Sequence, residues 1–280
     1  MNRRELDVSV ESAALDVRDL RVAFVQYERG LRRRVVEAVR GMTLSAHPGE
    51  VVALVGASGA GKSLFGHAVL GMLPPNARAT GEVRLGGRLL DEAARRRLAG
   101  RGLVLLPQGG SYLDPTARVG AQVRRAARLA GRRDPAAAAR EALAERGLEA
   151  GVERLYPHEL SGGMARRVVG AVAGVGDPAV VIADEPTPGL HPEAVAAALQ
   201  GLRRTADGGA AVVLITHDLR GALGVSDRVV VCRAGSTVDE AAVADFAGDG
   251  AGLAHPYTRA LWQALPGHGF RAPAEPGAAS

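Results

Sequence analysis

The stretch VVALVGASGAGKS, Val51 to Ser63, decides the fold class of this 280-residue chain. Val51 to Val55 is a short apolar run rich in valine that ends at a glycine, which predicts a buried strand. Lys62 to Leu73 carries apolar residues at helical spacing and stops before Pro74, which predicts a helix. A buried strand, a glycine-rich turn and a helix in this order are typical of a parallel α/β sheet.

The turn itself, GASGAGKS, matches the phosphate-binding pattern G-x-x-x-x-G-K-[ST]. Glycines let successive backbone N–H groups converge on phosphate oxygens, and the helix N-terminus adds its partial positive charge. Lys62 is predicted to reach the β- and γ-phosphates of ATP, and the Ser63 hydroxyl to coordinate Mg²⁺. The candidate ATP-binding residues here are Gly56, Ala57, Ser58, Gly59, Ala60, Gly61, Lys62, Ser63 and Leu64.

A second motif, VVIADE from Val180 to Glu185, places two carboxylates at the end of an apolar strand. A strand end beside a phosphate loop is where Mg²⁺ needs a carboxylate, and Asp184 is the candidate, as a direct or a water-mediated ligand. Glu185 is then placed to polarise the attacking water as a general base. Behind a phosphate loop, this pair of acids predicts nucleotide hydrolysis.

Other apolar runs predict the rest of the sheet. Ala211 to Ile215 and Arg228 to Cys232 read as buried strands, like the run before Asp184, and such strands alternating with helices indicate a largely parallel sheet. Residues 20–50 and 80–90 predict short antiparallel strands with glycine turns.

The middle and the end of the chain have a different composition. Residues 119–175 are rich in alanine and predict helices, one of which begins at Asp134 as its cap and ends near Gly147. Beyond Gly267 the glycine, alanine and proline content predicts a loose tail.

Charge and composition limit the possible partners and compartments. The net charge is only +5, which does not argue for nucleic acid, so no nucleic-acid partner is expected. The first residues lack the apolar core of a signal peptide, and no apolar run approaches the roughly 18 residues of a membrane span. The single cysteine, Cys232, cannot form an intrachain disulfide. We expect a soluble cytoplasmic protein.

A third motif, ELSGGM from Glu159 to Met164, links the chain to a family. A serine and two glycines opening a helix form a second anion site, which makes sense if it serves a nucleotide held by another subunit. LSGGM followed by Val180–Glu185 resembles the signature and the second nucleotide motif of the ATP-binding cassette (ABC) ATPases. The resemblance extends from Leu15 to about Leu265, with the motifs in family order.

This resemblance implies a fold and further site residues. The fold would be α/β, with a P-loop NTPase (RecA-like) core, an antiparallel β subdomain and an inserted α-helical subdomain. Gln108 in LLPQGG resembles the Q-loop glutamine, which senses Mg²⁺ and contacts the transport channel, so Gln108 is implied to bind ATP and to be a Mg²⁺ ligand with Ser63 and Asp184. His217 in LITHDL resembles the switch histidine that contacts the γ-phosphate, so the implied catalytic set is Glu185, His217 and Lys62. The residues implied to complete the ATP site of a partner are Ser161, Gly162 and Gly163.

The same resemblance implies a division of the chain into segments. The expected segments are the N-terminal part of the nucleotide-binding domain with the β subdomain and phosphate loop at residues 1–106, the α-helical signature subdomain at 107–175, the C-terminal part of the core at 176–248, and a C-terminal extension and tail at 249–280.

Three further stretches resemble one branch of the family. GMLP after the first helix, YPHELSGGM, and HPYTRALWQAL near the C-terminus look like the oligopeptide, dipeptide and nickel importer branch, with the shorter nickel-type subunits most similar. The resemblance implies an ATP-hydrolysing subunit energising uptake of a peptide, nickel or metal-chelate ligand. Its partners would be a second ABC ATPase subunit, two transmembrane permease subunits and, indirectly, an extracytoplasmic binding protein, at the cytoplasmic face of the membrane.

The segment after Glu185 departs from the family pattern. The family usually reads P-T-[ST]-[AG]-L-D, but here the run is PTPGLH, with His191 at the D-loop aspartate position and Pro188 stiffening the approach. In the family this loop crosses the dimer interface and couples two ATP sites. Either that coupling is altered or the partner subunit compensates. A catalytically weak regulatory subunit of a heteromeric pair is therefore one alternative function, and a non-transport ABC ATPase is another.

Two other positions leave alternatives open. In QGGSYLDP, the pair Gly109–Gly110 indicates a looser joint to the helical subdomain than the branch usually has. The aromatic residue that stacks on adenine is Tyr27 or, alternatively, Phe24, and either residue could instead serve only strand packing.

Lys62 is the only lysine among the 35 lysine and arginine residues of the chain. The arginine guanidinium is wide and planar, whereas the lysine ammonium is a compact point charge on a slim side chain. Only the slim side chain fits alongside a backbone loop that surrounds a phosphate. We therefore expect Lys62→Arg to lose most ATPase activity, measured as phosphate release from the purified protein. Wild-type turnover in this variant would contradict the explanation.

Overall fold

A computed structural model of the protein describes residues 12–27, 33–108 and 112–266, and in this part of the chain ten strands form one sheet. The strands are β1 (Leu15–Tyr27), β2 (Arg33–Ala46), β3 (Val51–Gly56), β4 (Ala77–Leu85), β5 (Arg88–Leu89), β6 (Leu103–Leu106), β7 (Val180–Asp184), β8 (Ala211–Thr216), β9 (Arg228–Arg233) and β10 (Ser236–Ala242). The helices are α1 (Lys62–Val69), α2 (Glu92–Leu98), α3 (Val119–Leu129), α4 (Pro135–Ala144), α5 (Gly162–Gly174), α6 (Pro192–Asp207), α7 (Leu219–Leu223) and α8 (Pro256–Gln263). The strand order across the sheet is β5-β4-β1-β2-β10-β9-β3-β8-β7-β6.

The strands β9, β3, β8, β7 and β6 form a parallel core. Every residue of β3, β7 and β8 is buried, because helices cover both faces of this part of the sheet. Val52 and Leu54 share a cluster with Phe65 of α1, while Ala53 shares the opposite cluster with Leu202 of α6. The four buried strands predicted from apolar runs are thus confirmed, and the predicted α/β class is correct.

Four strands, β1, β2, β4 and β5, pair antiparallel at one side of the sheet. The prediction of short strands with a glycine turn is confirmed for β4 and β5, which are joined by Gly86 and Gly87. It was wrong for residues 20–50, since β1 has 13 residues and β2 has 14. Gly41 lies inside β2, at an irregularity in the pairing with β1 where Leu20 pairs with Met42 and Arg21 with Arg40. A glycine at a β-bulge lets the strand continue.

Helix α1 ends earlier than the sequence predicted, at Val69 rather than Leu73. Gly71 adopts a left-handed conformation with φ +69°. Its N–H donates to the carbonyl of Ala68 at 3.0 Å, and the N–H of Met72 donates to that of His67 at 2.8 Å. This pair of bonds is a Schellman motif, which satisfies the last helical carbonyls and stops the helix before the prolines are reached.

Helices α3, α4 and α5 pack together around a separate apolar cluster that includes Val123, Leu143 and Val168. The predicted cap is confirmed, because the Asp134 carboxylate accepts hydrogen bonds from the N–H groups of Ala136 at 3.0 Å and Ala137 at 2.9 Å. This helical layer is inserted between β6 and β7, and it carries the signature motif at the start of α5. The Gly109–Gly110 joint that precedes it lies outside the described residues.

The C-terminal segment folds back onto the core. Trp262 of α8 packs edge-on against Phe246, with ring centroids 5.8 Å apart, and its Nε1–H donates to the carbonyl of Gly248 at 3.1 Å. The proposed loose tail after Gly267 lies outside the described residues. In the part of the chain that the structure describes, no helix is both long enough and apolar enough to cross a membrane.

An arginine of β9 connects the antiparallel strands to the parallel core. Among the described residues, β2 and β10 share one paired position, Ser236 with Gly41. Arg228 strengthens this seam: its Nε donates to Glu50 Oε1 at 2.5 Å and its Nη1 donates to Glu240 Oε1 at 2.5 Å. Its Nη2 donates to the carbonyl of Ser45. One guanidinium thus holds the β2–β3 connection, β9 and β10 together.

We expect Arg228→Met to lower the free energy of unfolding by about 2–4 kcal/mol, because it leaves the largely buried Glu50 carboxylate without its charged partner. The matched control is Arg18→Met, which breaks the more exposed pair with Asp16 and should cost less than about 1 kcal/mol. Urea denaturation of the purified variants measures both. Equal losses would show that the Arg228 cluster does not strengthen the seam.

Candidate nucleotide site

The loop from Gly56 to Ser63 leaves the end of β3 and enters α1, as the sequence predicted. Gly61 stands at the helix N-cap with φ +87°. A Cβ at this position would lie 3.0 Å from the Ala38 carbonyl oxygen and 3.0 Å from Val39 Cγ2 on β2. The loop is therefore packed against the antiparallel part of the sheet, and its curvature depends on glycine.

The ammonium group of Lys62 lies inside this loop. Its side chain is buried, and Nζ donates to the carbonyl oxygens of Gly56 at 2.8 Å and Ala57 at 3.1 Å. Burial lowers the pKa of Lys62, and the nearby charge of Glu185 opposes that shift. An ammonium group has three donors, so one is left for a phosphate oxygen while two hold the loop.

Ser63 and Asp184 meet at the junction of α1 and β7. Ser63 Oγ donates to Asp184 Oδ1 at 3.0 Å, and Asp184 is buried. Burial raises the pKa of Asp184, while the hydrogen bond from Ser63 and the nearby His67 oppose the shift. A hydroxyl and a carboxylate oxygen in contact are hard donors of the kind Mg²⁺ prefers, so the residues fit that ion. His67, which the sequence analysis missed, has Nδ1 2.8 Å from the Ser63 carbonyl oxygen.

Glu185 and His217 face each other across neighbouring strands. His217 Nδ1 lies 2.9 Å from Glu185 Oε1, while the other oxygen, Oε2, is buried without a hydrogen-bond partner in the described part of the chain. The backbone of Glu185 is left-handed, with φ +46°, and its N–H donates to the carbonyl of Ile215 on β8. A non-glycine residue in this conformation is held by its surroundings, which is common at functional sites.

Gln108 reaches the same edge of the sheet through β6. Leu106 at the end of β6 pairs with Ala183 on β7, so Gln108 and Glu185 follow neighbouring strand ends. Gln108 is exposed, and in the described residues no hydrogen bond joins it to Ser63 or Asp184. Its assignment as a ligand of Mg²⁺ stays a prediction.

The signature residues lie at the N-terminus of α5. Ser161 caps this helix, its Oγ accepting from the Met164 N–H at 3.2 Å. A Cβ added at Gly162 or Gly163 would meet nothing within 4 Å, so the space around the first turn of the helix is open. Within the described chain, no hydrogen bond joins these residues to the phosphate loop.

The two candidates for adenine stacking have different surroundings. Phe24 is partly buried and packs against the main apolar cluster, so it contributes to strand packing. Tyr27 ends β1, and its side chain lies outside the described part of the chain. The stacking role therefore remains a prediction for Tyr27.

The chain matches a family model described as ABC transporter over residues 39–188, which is more than half of its length. It belongs to the ABC transporter family. The oligopeptide transport ATP-binding protein OppD of Mycobacterium tuberculosis is 38% identical over 266 residues, covering 91% of this chain and 42% of that protein. A probable peptide ABC transporter ATP-binding protein of Sinorhizobium fredii is 37% identical, covering 94% and 81%. This ABC chain thus spans less than half the length of the mycobacterial relative.

Solved structures agree with the fold. A dimeric ATP-binding cassette in a post-hydrolysis state, bound to ADP and Pi, superposes with a TM-score of 0.69 at 23% identity, covering 82% of this chain and 98% of that one. The fold predicted from the family resemblance is confirmed.

We expect Gly61→Ala to destabilise the nucleotide-free protein more than Gly59→Ala. Both glycines have positive φ values, +87° and +79°, so both substitutions carry the same conformational penalty. A Cβ at Gly59 meets nothing within 4 Å, whereas one at Gly61 presses on β2 and should cost about 1–3 kcal/mol more. Thermal unfolding without nucleotide measures the difference, and equal losses would contradict the packing of the loop on β2.

Proposed function

We propose that this chain is the ATP-hydrolysing subunit of an importer that takes up a peptide, nickel or metal-chelate ligand at the cytoplasmic face of the membrane. It works with a second ABC ATPase subunit, two permease subunits and an extracytoplasmic binding protein. The names of its relatives, which include an oligopeptide transport protein and a dipeptide transport protein of Bacillus subtilis, support this proposal and favour a peptide as the ligand.

The environment of Glu185 is the observation that supports ATP hydrolysis by this chain. One oxygen of its carboxylate contacts His217 Nδ1, and the other is buried and has no hydrogen-bond partner in the described part of the chain, so it has an unused capacity to accept a proton. The carboxylate follows directly after Asp184, which contacts Ser63 at the start of α1. A base with an unused oxygen beside the phosphate loop is the arrangement that water activation requires.

The proposed reaction is hydrolysis of the γ-phosphate of ATP. The oxygen of water attacks the γ-phosphorus, its proton passes to Glu185, and the bond from the γ-phosphorus to the β–γ bridging oxygen breaks, which yields ADP and phosphate. Lys62 and the loop N–H groups stabilise the charge on the phosphates, and His217 holds the γ-phosphate side of the site. Ser63, Asp184 and Gln108 would hold Mg²⁺, which would further neutralise the phosphate charge.

We propose that each ATP site is completed by a partner. Ser161, Gly162 and Gly163 would bind the nucleotide on the partner's phosphate loop, which the open space before α5 and its helix N-terminus support. Loss of the γ-phosphate removes the bridge between the two halves, so the dimer reopens. Gln108 and the helical layer would carry this motion to the permeases.

A second candidate is a catalytically weak regulatory subunit in a heteromeric pair. His191 favours it, because this exposed residue caps α6 without a side-chain hydrogen bond where the family usually has an aspartate. Inactivating this subunit and its partner separately distinguishes the two. If turnover persists when this chain carries Glu185→Gln and stops when the partner carries the equivalent change, the regulatory role is correct.

We expect Glu185→Gln to retain ATP binding and to lose ATP turnover in the assembled transporter, since glutamine keeps the size of the side chain but cannot accept the proton. Fluorescent-nucleotide binding and phosphate release measure the two quantities. Normal hydrolysis by this variant would show that Glu185 is not the base.

The transport role is tested in cells that lack the gene. Wild-type protein should restore uptake of labelled di- and oligopeptides, and Glu185→Gln should not. If the wild-type protein restored uptake of nickel but not of peptides, the transported ligand would be nickel.

A further inference from the structure

The loop that carries the unusual sequence PTPGLH forms a tight turn from Thr187 to Leu190. The N–H of Leu190 donates to the carbonyl of Thr187 at 3.1 Å, and Gly189 has φ +73°. Proline in the second position and a glycine of positive φ in the third define a type II turn. The hydrogen bond of the turn uses the carbonyl of Thr187, so the carbonyl of Pro188 is left to accept a hydrogen bond from elsewhere.

That carbonyl is bound by an arginine from the signature helix. Arg166 of α5 donates from Nη2 to the Pro188 oxygen. Its Nη1 is buried and has no partner in the described residues, so the Pro188 oxygen is the acceptor the guanidinium uses. Through α5, whose N-cap is Ser161, the contact joins the helical layer to the loop that follows the core strand β7.

The loop is short and stiff between this contact and the general base. Glu185 precedes Pro186, Thr187 and Pro188, and both prolines have their φ angles restricted by their rings. Glu185 itself lies in a left-handed conformation that its surroundings must hold. A shift of the turn is therefore transmitted to Glu185 instead of being absorbed by free rotation.

We propose that Arg166 is a positioning residue for ATP hydrolysis, which ties the Thr187–Leu190 turn to the signature helix and so holds the Glu185 carboxylate in place. The inference rests on the proposed role of Glu185. The contact would directly link the signature residues, which are proposed to bind a partner's nucleotide, to Glu185, which is proposed to hydrolyse the nucleotide on this chain. The link lies at the loop where the family aspartate is replaced by His191.

The test is steady-state ATP hydrolysis by the assembled transporter carrying Arg166→Gln. We expect kcat to fall about tenfold while KM for ATP changes less than about twofold, because the phosphate loop is untouched. Arg166→Lys should recover part of kcat, since its ammonium group can donate one hydrogen bond to the Pro188 carbonyl. An unchanged kcat in Arg166→Gln would overturn the proposal. A rise in KM for ATP as large as the fall in kcat would overturn it as well.

The matched control is Arg167→Gln on the same helix. Arg167 donates from Nη1 to the carbonyl of Gly147 at 2.9 Å, a bond that stays within the helical layer. The Arg167→Gln variant loses an arginine-to-carbonyl hydrogen bond of the same kind without any change at the turn. Its kcat should therefore stay near the wild-type value. A loss equal to that of Arg166→Gln would mean that any weakening of α5 slows hydrolysis.

A second variant breaks the link from the other side. Gly189→Ala disfavours the positive φ that the type II turn needs, although a Cβ there has room, the nearest group being Arg166 Nη2 at 3.8 Å. We expect a similar fall in kcat and no further loss in the double variant, because both changes break one contact. Additive losses would overturn the proposal. Gly248→Ala, at φ +54° with no atom within 4 Å of an added Cβ, controls for the backbone strain.

Glu185→Gln separates this proposal from the proposed function. If Glu185→Gln abolishes turnover but Arg166→Gln does not alter it, the base assignment stands and the link is wrong. If Glu185→Gln hydrolyses ATP normally, the base assignment is wrong whatever Arg166 does.

Discussion

The ammonium group of Lys62 is buried in a loop of glycines and held by the loop's own carbonyl oxygens, and the remaining architecture follows from this arrangement. Burial lowers the pKa of this lysine, so the protein must surround it with acceptors and negative charge. The carbonyls of Gly56 and Ala57 supply acceptors, and Glu185 and Asp184 supply charge. The loop lies between the buried strand β3 and the helix α1, which hold its two ends.

The parallel core explains how distant segments reach that loop. Parallel strands all end at the same edge, so β6, β7 and β8 deliver Gln108, Asp184 with Glu185, and His217 to one place. Two hydrogen bonds between side chains form there, one from Ser63 to Asp184 and one between His217 and Glu185. The strand order therefore determines the chemistry of the site as much as the motifs do.

The inserted helical layer and the core meet at a point that matters for the mechanism. The signature helix begins at Ser161, where open space faces outward, and a turn later Arg166 binds the loop that follows Glu185. In the proposed dimer, this helix would have one end directed at the partner and a side chain directed at the loop that follows Glu185. Such a helix can transmit a displacement between the two because a packed helix moves as a unit.

The sequence alone determined the buried strands, the phosphate loop, the Asp134 cap and the order of the nucleotide motifs, because each depends on neighbouring residues with a local pattern. It misplaced the end of α1, since Gly71 closes the helix through backbone bonds before Pro74 acts, and it predicted short strands where β1 and β2 are long. Only the tertiary structure showed the Arg228 cluster and the contact of Arg166 with Pro188. In those contacts a long arginine side chain meets acceptors far along the chain, and no local pattern specifies which acceptor the fold brings within reach.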